Sequence, residues 1–227
     1  ASPPRPPWHN GVMKTIPARE RLIFATDVPN AEAARQMVET LGDSVVFYKL
    51  GLELMMAGGY FELLDWMVAR GKKVFVDLKF FDIPATVANA VRQLNGRGVT
   101  FATVHGNQSI MEAAAEAATD VKILAVTVLT SLDRGDLDDL GFQCDVQQLV
   151  ISRARRALAT GCAGVVSSGI EAEAIRRTTG SAPRAVAFAT GVRGLGIETL
   201  LVSTALLGIR WSLARVLGTA LVAFAAG

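Results

Sequence analysis

Residues 77–82 read Asp77-Leu78-Lys79-Phe80-Phe81-Asp82, and Ile83-Pro84-Ala85-Thr86 follows at once. The preceding Val74-Phe75-Val76 is β-branched and aromatic, the composition of a buried strand. Side chains two apart on a strand share a face, so Asp77 and Lys79 are expected to point the same way. Asp82 falls just past the strand, ahead of a proline suited to the first turn of a helix. Two carboxylates and an ammonium are thus expected to converge where a buried strand opens into a loop. Groups held this close perturb one another's proton affinity, which is the condition for acid–base work. A lone Asp-x-Lys would equally suit an ion pair capping a strand. The longer string D-x-K-x-x-D-I-P-x-T is the more specific signal.

Other polar residues stand where apolar runs end. Asp27 follows Phe24-Ala25-Thr26, Lys49 follows Val46-Phe47-Tyr48, His105 precedes Gly106, and Thr130 follows Thr127-Val128-Leu129. Each has a plain structural explanation when taken singly. Asp27 suits a helix N-cap, Lys49 a solvated strand end, and His105 a structural histidine. The acidic run over residues 133–139 reads as a solvated loop.

The elements that would position these residues come as a rhythm. Strands are expected at 22–26, 45–50, 74–78, 99–104, 123–129, 164–167 and 185–189. Helices are expected between them at 31–41, 60–70, 84–94, 109–118, 146–160 and 171–178. Strand-then-helix repetition argues for a parallel sheet covered on both faces. A barrel of this kind builds its active site at the C-terminal ends of the strands, where Asp27, Lys49, Asp77, His105, Thr130 and Ser168 stand. A doubly wound sheet would also bind ligands at strand ends. No glycine-rich dinucleotide fingerprint follows the first strand, however; Asp27-Val28-Pro29-Asn30 stands there instead. The expected fold class is α/β, a (β/α)₈ TIM barrel with an eighth strand–helix unit that the sequence does not mark clearly.

Composition narrows the classes. The 227 residues suffice for one domain with a large core, 51% are hydrophobic and 19% charged, and the formal net charge is +2. Basic residues run no longer than the pairs Lys72-Lys73 and Arg155-Arg156, so no nucleic-acid partner is called for. Cys144 and Cys162 lack metal-ligand spacing and fit free thiols in a reducing cytosol. With His9 and His105 as the only histidines, a histidine-based metal centre is not expected. Residues 1–12 hold four prolines and no apolar signal region, and read as a disordered arm with Met13 a plausible start. Residues 13–193 read as the barrel core, and 194–227 as an atypical apolar segment.

The string D-x-K-x-x-D-I-P-x-T, with Asp27 and Lys49 in chain order ahead of it, resembles the signature of the orotidine 5′-phosphate decarboxylase family. The resemblance covers about residues 20–193. It implies conversion of orotidine 5′-phosphate to UMP and CO₂ in pyrimidine synthesis, by a cytoplasmic homodimer that uses neither cofactor nor metal. Lys79 would be the proton donor, and Asp77 would lie by the departing carboxylate and hold Lys79. Asp27 and Lys49 would hold ribose. Asp82 and Thr86 would reach across a dimer interface into the neighbouring subunit's site. Thr130 would meet the pyrimidine, and His105 would lie near the dimer and phosphate region. Gly191-Val192-Arg193 is similar to the family's opening of a phosphate-gripping loop, with Thr190 where the family usually has proline.

The likeness stops after Arg193. The family continues with a polar loop, a helix, an eighth strand and a Gly-Arg pair whose arginine holds phosphate. Here Gly194-Leu195-Gly196-Ile197-Glu198 leads into an apolar stretch, 199–227, charged only at Arg210 and Arg215. A membrane span is not expected, since the arginines leave neither apolar part about 18 residues long. An unusual closing unit would fit; a frameshifted tail fits better, given the abrupt change in composition. Either predicts weakened phosphate binding and activity below that of an intact relative. Two rivals remain. One is a Mg²⁺-dependent sugar-phosphate decarboxylase or aldolase of the same superfamily, which usually lacks the Ile-Pro-x-Thr continuation. The other is a non-catalytic or membrane-associating barrel.

Overall fold

The structure is a computed structural model and describes residues 17–129, 131–169, 171–179 and 186–187. The first half carries β1 (Phe24–Ala25), α1 (Ala31–Leu41), β2 (Phe47–Gly51), α2 (Leu52–Ala57), α3 (Tyr60–Ala69), β3 (Lys73–Phe80) and α4 (Pro84–Arg92). Then come β4 (Val99–His105), α5 (Gln108–Ala117), β5 (Lys122–Val126), α6 (Arg134–Asp139), α7 (Val146–Ala159), β6 (Gly164–Ser167), α8 (Ala172–Thr179) and β7 (Val186–Ala187).

The strands form one sheet in the order β1-β2-β3-β4-β5-β6-β7, every neighbouring pair parallel. A doubly wound sheet reverses its strand order at a switch point. This order never reverses, so the chain winds in one direction. The sheet also curls. Strands β2 and β4 are two ladder spacings apart, about 9.5 Å in a flat sheet. Their Phe47 and Phe101 rings nevertheless stack at 5.7 Å between centroids. The face carrying these rings is therefore concave.

Strand alternation divides the core into two. On the concave face Phe47, Phe75 and Leu124 are buried and pack with Ile23, Phe101 and Val166. Phe75 meets Phe101 edge-on at 6.1 Å. Each buried aromatic side chain contributes about 2–3 kcal/mol of apolar transfer. On the convex face Tyr48, Leu50, Val74, Val76, Ala102 and Val104 pack under helical Leu63, Leu64, Met67, Val87, Val91 and Met111. Burial on both faces explains why the strands read as continuous apolar runs rather than alternating ones.

Local chemistry sets the helix starts. The Asn30 side chain accepts from the Ala33 N–H at 2.9 Å to cap α1. Pro84 opens α4, where its missing N–H costs nothing. Asp145 and Gln148 form a capping box at α7.

Three expectations need correction. The acidic run 133–139 is not a loop: Asp133 and Asp136 form a capping box, and α6 follows with Leu137 fully buried. Its acidic composition hid the one apolar anchor. The short helix α2 follows β2 directly, where no helix was expected. The fifth strand ends at Val126, earlier than 129, and just past it both the N–H and the hydroxyl of Thr127 donate to the Val166 carbonyl, at 3.1 and 3.0 Å. Among the described residues no helix is long and apolar enough to cross a membrane. The expected arm 1–12, Thr130, Gly191, Arg193, the segment 194–227 and any eighth unit lie outside the described residues.

Candidate active site

The concave face is layered. Phe47, Phe75 and Phe101 form an apolar floor, and two residues further along the same strands stand Lys49, Asp77 and Thr103. A step of two returns to the same face, so the polar layer lies directly over the aromatic one. Water is excluded from below, and the charges meet at the sheet's C-terminal rim.

Four side chains form a line of alternating charge. The Lys49 Nζ lies 3.1 Å from Asp27 Oδ1 and 3.6 Å from Asp77 Oδ2, and the Lys79 Nζ lies 2.9 Å from the same Asp77 Oδ2. The line runs inward from solvent: Asp27 is 66% exposed, Asp77 only 11%. A carboxylate so little exposed must be paired and hydrogen-bonded. Asp77 is both, since its Oδ1 accepts from the Thr103 hydroxyl at 3.0 Å. Its charge is felt beyond the line. The Tyr60 hydroxyl, which donates to the Leu50 carbonyl at 3.2 Å, is held protonated far above its usual range, by burial first and then by Asp77.

Lys79 has φ +48°, a left-handed conformation that no other described residue except glycine adopts. That backbone costs a side-chain-bearing residue about 1–2 kcal/mol. The β3–β4 register breaks between Val76 and Phe80, so Asp77 and Lys79 do not meet by simple alternation on a regular strand. They meet because the strand bulges and turns the lysine. The Lys79 N–H, displaced from the ladder, donates to Thr103 Oγ1 at 2.9 Å.

Above the line opens a cleft of about 310 Å³, lined by Thr26, Asp27, Lys49, Gly51, Asp77, Lys79 and the start of α2. A Cβ at Gly51 would lie 3.5 Å from Lys49 Nζ and 3.7 Å from Asp27 Oδ1, in ordinary contact with the first pair of the line. Chemically, the cleft offers a cation of moderate exposure (Lys79, 39%) beside a part-buried anion, with a second anion–cation pair at its mouth.

The other expected site residues lie apart from this line. Asp82 is exposed, and its carboxylate turns back to accept from the Ile83 N–H at 2.6 Å. Among the described residues no ion pair joins it to Lys49 or Lys79, so the second carboxylate does not converge with them in this chain. Thr86 is exposed in the first turn of α4, its N–H donating to the Ile83 carbonyl. His105 pairs its Nδ1 with Asn107 Oδ1 at 2.9 Å and lies against Phe81, with ring centroids 4.4 Å apart. Thr103 is a participant the sequence reading missed. A threonine inside an apolar strand looks like a β-former, and only its place beside Asp77 gives it a role. Arg153 was also unforeseen: from α7 its Nη1 donates to the Thr127 carbonyl at 2.7 Å, bracing the end of β5.

Residues 20–199 match the family described as Orotidine 5′-phosphate decarboxylase / HUMPS family. The chain is 65% identical over 163 residues to the orotidine 5′-phosphate decarboxylase of Methylococcus capsulatus, covering 72% of this chain and 67% of that one. It is 50% identical over 165 residues to that of Xylella fastidiosa strain M12, covering 72% and 68%. Among solved structures, the orotidine 5′-phosphate decarboxylase of Lactobacillus acidophilus superposes with a TM-score of 0.65 at 31% identity, over 70% of this chain and 75% of that one. The family match spans most of the sequence, and it includes all four members of the charged line. The chain therefore belongs to the orotidine 5′-phosphate decarboxylase / HUMPS family.

Proposed function

We propose that this protein converts orotidine 5′-phosphate to UMP and CO₂. The observation that carries the reading is the Asp27–Lys49–Asp77–Lys79 line over an aromatic floor, in a chain 65% identical to a decarboxylase of that name. When the bond from C6 to the carboxylate breaks, CO₂ leaves and the electron pair stays on C6. The Lys79 ammonium stabilises that developing carbanion and then gives it a proton. The neutral amine regains its proton from solvent. Asp77 pairs with the Lys79 ammonium and aims it, and its carboxylate faces the departing carboxylate. Asp27 and Lys49, at the mouth of the cleft, hold the ribose. Because Lys79 supplies both charge and proton, the reading calls for no metal or organic cofactor.

Asp82 and Thr86 serve the site of a second copy in this reading. Phe81 and Ile83 flank Asp82 and are 64% and 67% exposed, an apolar surface that a homodimer would cover. The single winding direction and the curl support closure as a (β/α)₈ barrel, with residues 13–193 as its core and the cytoplasm as its compartment. Thr130 toward the pyrimidine, His105 near the interface, and Gly191 with Arg193 at the phosphate complete the proposal. The family match runs to residue 199, six residues into the apolar segment 194–227, and leaves the rest of that segment unmatched. A departed phosphate grip lowers turnover, because remote binding energy is applied at the reacting carbon.

The test is loss of orotidine 5′-phosphate absorbance by the purified chain, with and without EDTA, beside Lys79→Ala. Turnover indifferent to EDTA and at least about 10³-fold slower in Lys79→Ala is expected. Activity that depends on Mg²⁺ and acts on a sugar phosphate would replace this reading with the superfamily's metal-dependent chemistry.

A further inference from the structure

We propose that Thr103 is a positioning residue that sets both the backbone and the ammonium of Lys79. Its kinetic consequence rests on the decarboxylase reading above; its structural content does not.

A hydroxyl has one proton to donate and lone pairs to accept with. Thr103 Oγ1 uses both. It accepts the Lys79 N–H at 2.9 Å and donates to Asp77 Oδ1 at 3.0 Å. The other oxygen of Asp77 then takes the Lys79 Nζ at 2.9 Å. The three contacts close a ring: Lys79 main chain to threonine, threonine to aspartate, aspartate to Lys79 side chain. Both ends of the lysine are thereby referred to one fully buried residue on the neighbouring strand β4.

The ring explains how a sparsely populated backbone conformation is held where the chemistry needs it. The β3–β4 ladder lapses between Val76 and Phe80, leaving the Lys79 N–H without a strand partner. An unpaired buried donor is costly. Thr103 removes that cost with Lys79 at φ +48°, accepting the N–H at 2.9 Å. The hydroxyl also fixes which Asp77 oxygen is free for the lysines, because Oδ1 is already occupied. Thr103 does not line the cleft, so it acts through Asp77 and Lys79 rather than on substrate.

Two variants separate this role from plain packing. Thr103→Val keeps the shape and removes the hydroxyl; Thr103→Ser keeps the hydroxyl and removes a methyl. With orotidine 5′-phosphate, Thr103→Val is expected to lower kcat about 10²-fold with KM within about threefold, since small misplacements of a reacting group cost that much. Thr103→Ser is expected to stay within about fivefold of the parent chain. Equal kcat losses in the two variants, or a change confined to KM, would overturn the proposal. The second readout is amide hydrogen exchange at Lys79 by NMR, which needs no turnover. Exchange at least about tenfold faster in Thr103→Val, with Thr103→Ser like the parent, supports the ring; equal protection in all three overturns it. A parent chain without turnover would sink the decarboxylase reading alone, and the exchange measurement would still decide the role of Thr103. If Thr103→Val does not fold, Thr103→Ala carries the same comparisons.

Discussion

Asp77 is the residue on which the site turns, because three groups compete for its two oxygens. Thr103 takes one, and Lys79 and Lys49 share the other. Asp77→Asn preserves the size and the contact with Thr103 but removes the charge that holds Lys79 as an aimed ammonium. It is expected to lower kcat on orotidine 5′-phosphate by about 10²–10³-fold, the usual effect of deleting one preorganised electrostatic group. Steady-state kinetics checks this, and a change in KM alone would show that Asp77 merely helps bind. Much of this residue-level picture was readable beforehand. The spacing of Asp77, Lys79 and Asp82 led to the expectation that all three converge; the first two do meet, Asp82 stays apart, and Lys49 and Asp27 complete the line instead. Thr103 was not readable, since nothing within its own strand distinguishes a threonine that bridges Asp77 and Lys79 from one that fills a sheet.

At the scale of elements, the close approach of β4 and β5 depends on Gly106. A Cβ there would come within 2.6 Å of the Val126 carbonyl oxygen and 3.2 Å of Arg153 Cδ. The first neighbour is backbone and has little room to retreat. Gly106→Ala is therefore expected to cost about 1–3 kcal/mol, read as a lower urea midpoint with an unchanged slope. The start of α7 offers a second check. Asp145 accepts from the Gln148 N–H at 2.7 Å, and Asp145→Ala should cost about 1 kcal/mol in the same measurement. Helices α1, α4 and α7 were legible because caps, a leading proline and apolar periodicity agree. Helix α6 was not, because four of its flanking and internal residues are acidic and its single core contact, Leu137, is too sparse to register as a period.

For the whole molecule, burial couples stability to pH. Cys162 is buried at the approach to β6, and burial pushes its thiol from 9.0 up to about 11, against a smaller opposing effect of the Thr160 hydroxyl. Between those values the unfolded chain releases a proton that the folded chain keeps. This contribution is therefore fully present below about pH 9 and is lost as pH rises through about 11. Its ceiling is about 3 kcal/mol. Tyr60 shifts in the same direction and adds to the decline. Urea midpoints at pH 8 and pH 10.5 should fall more for the parent chain than for Cys162→Ala; an equal fall would place the alkaline sensitivity elsewhere.

The sequence by itself determined the alternation of strands and helices, the parallel sheet, and the string that marks the family. Those follow from patterns local in the chain: periods of two and of three to four, cap residues, and a motif only ten residues long. Only the tertiary structure decided which groups meet. The curl that stacks Phe47 of β2 on Phe101 of β4 across an intervening strand is one such outcome, and the ion pair between Lys49 and Asp77 is another. The left-handed turn of Lys79 is the clearest. Its conformation is disfavoured by its own chemistry and is stabilised by a hydroxyl 24 positions further along the chain. No local propensity encodes a partner that distant, because folding supplies it only when β3 and β4 are laid side by side.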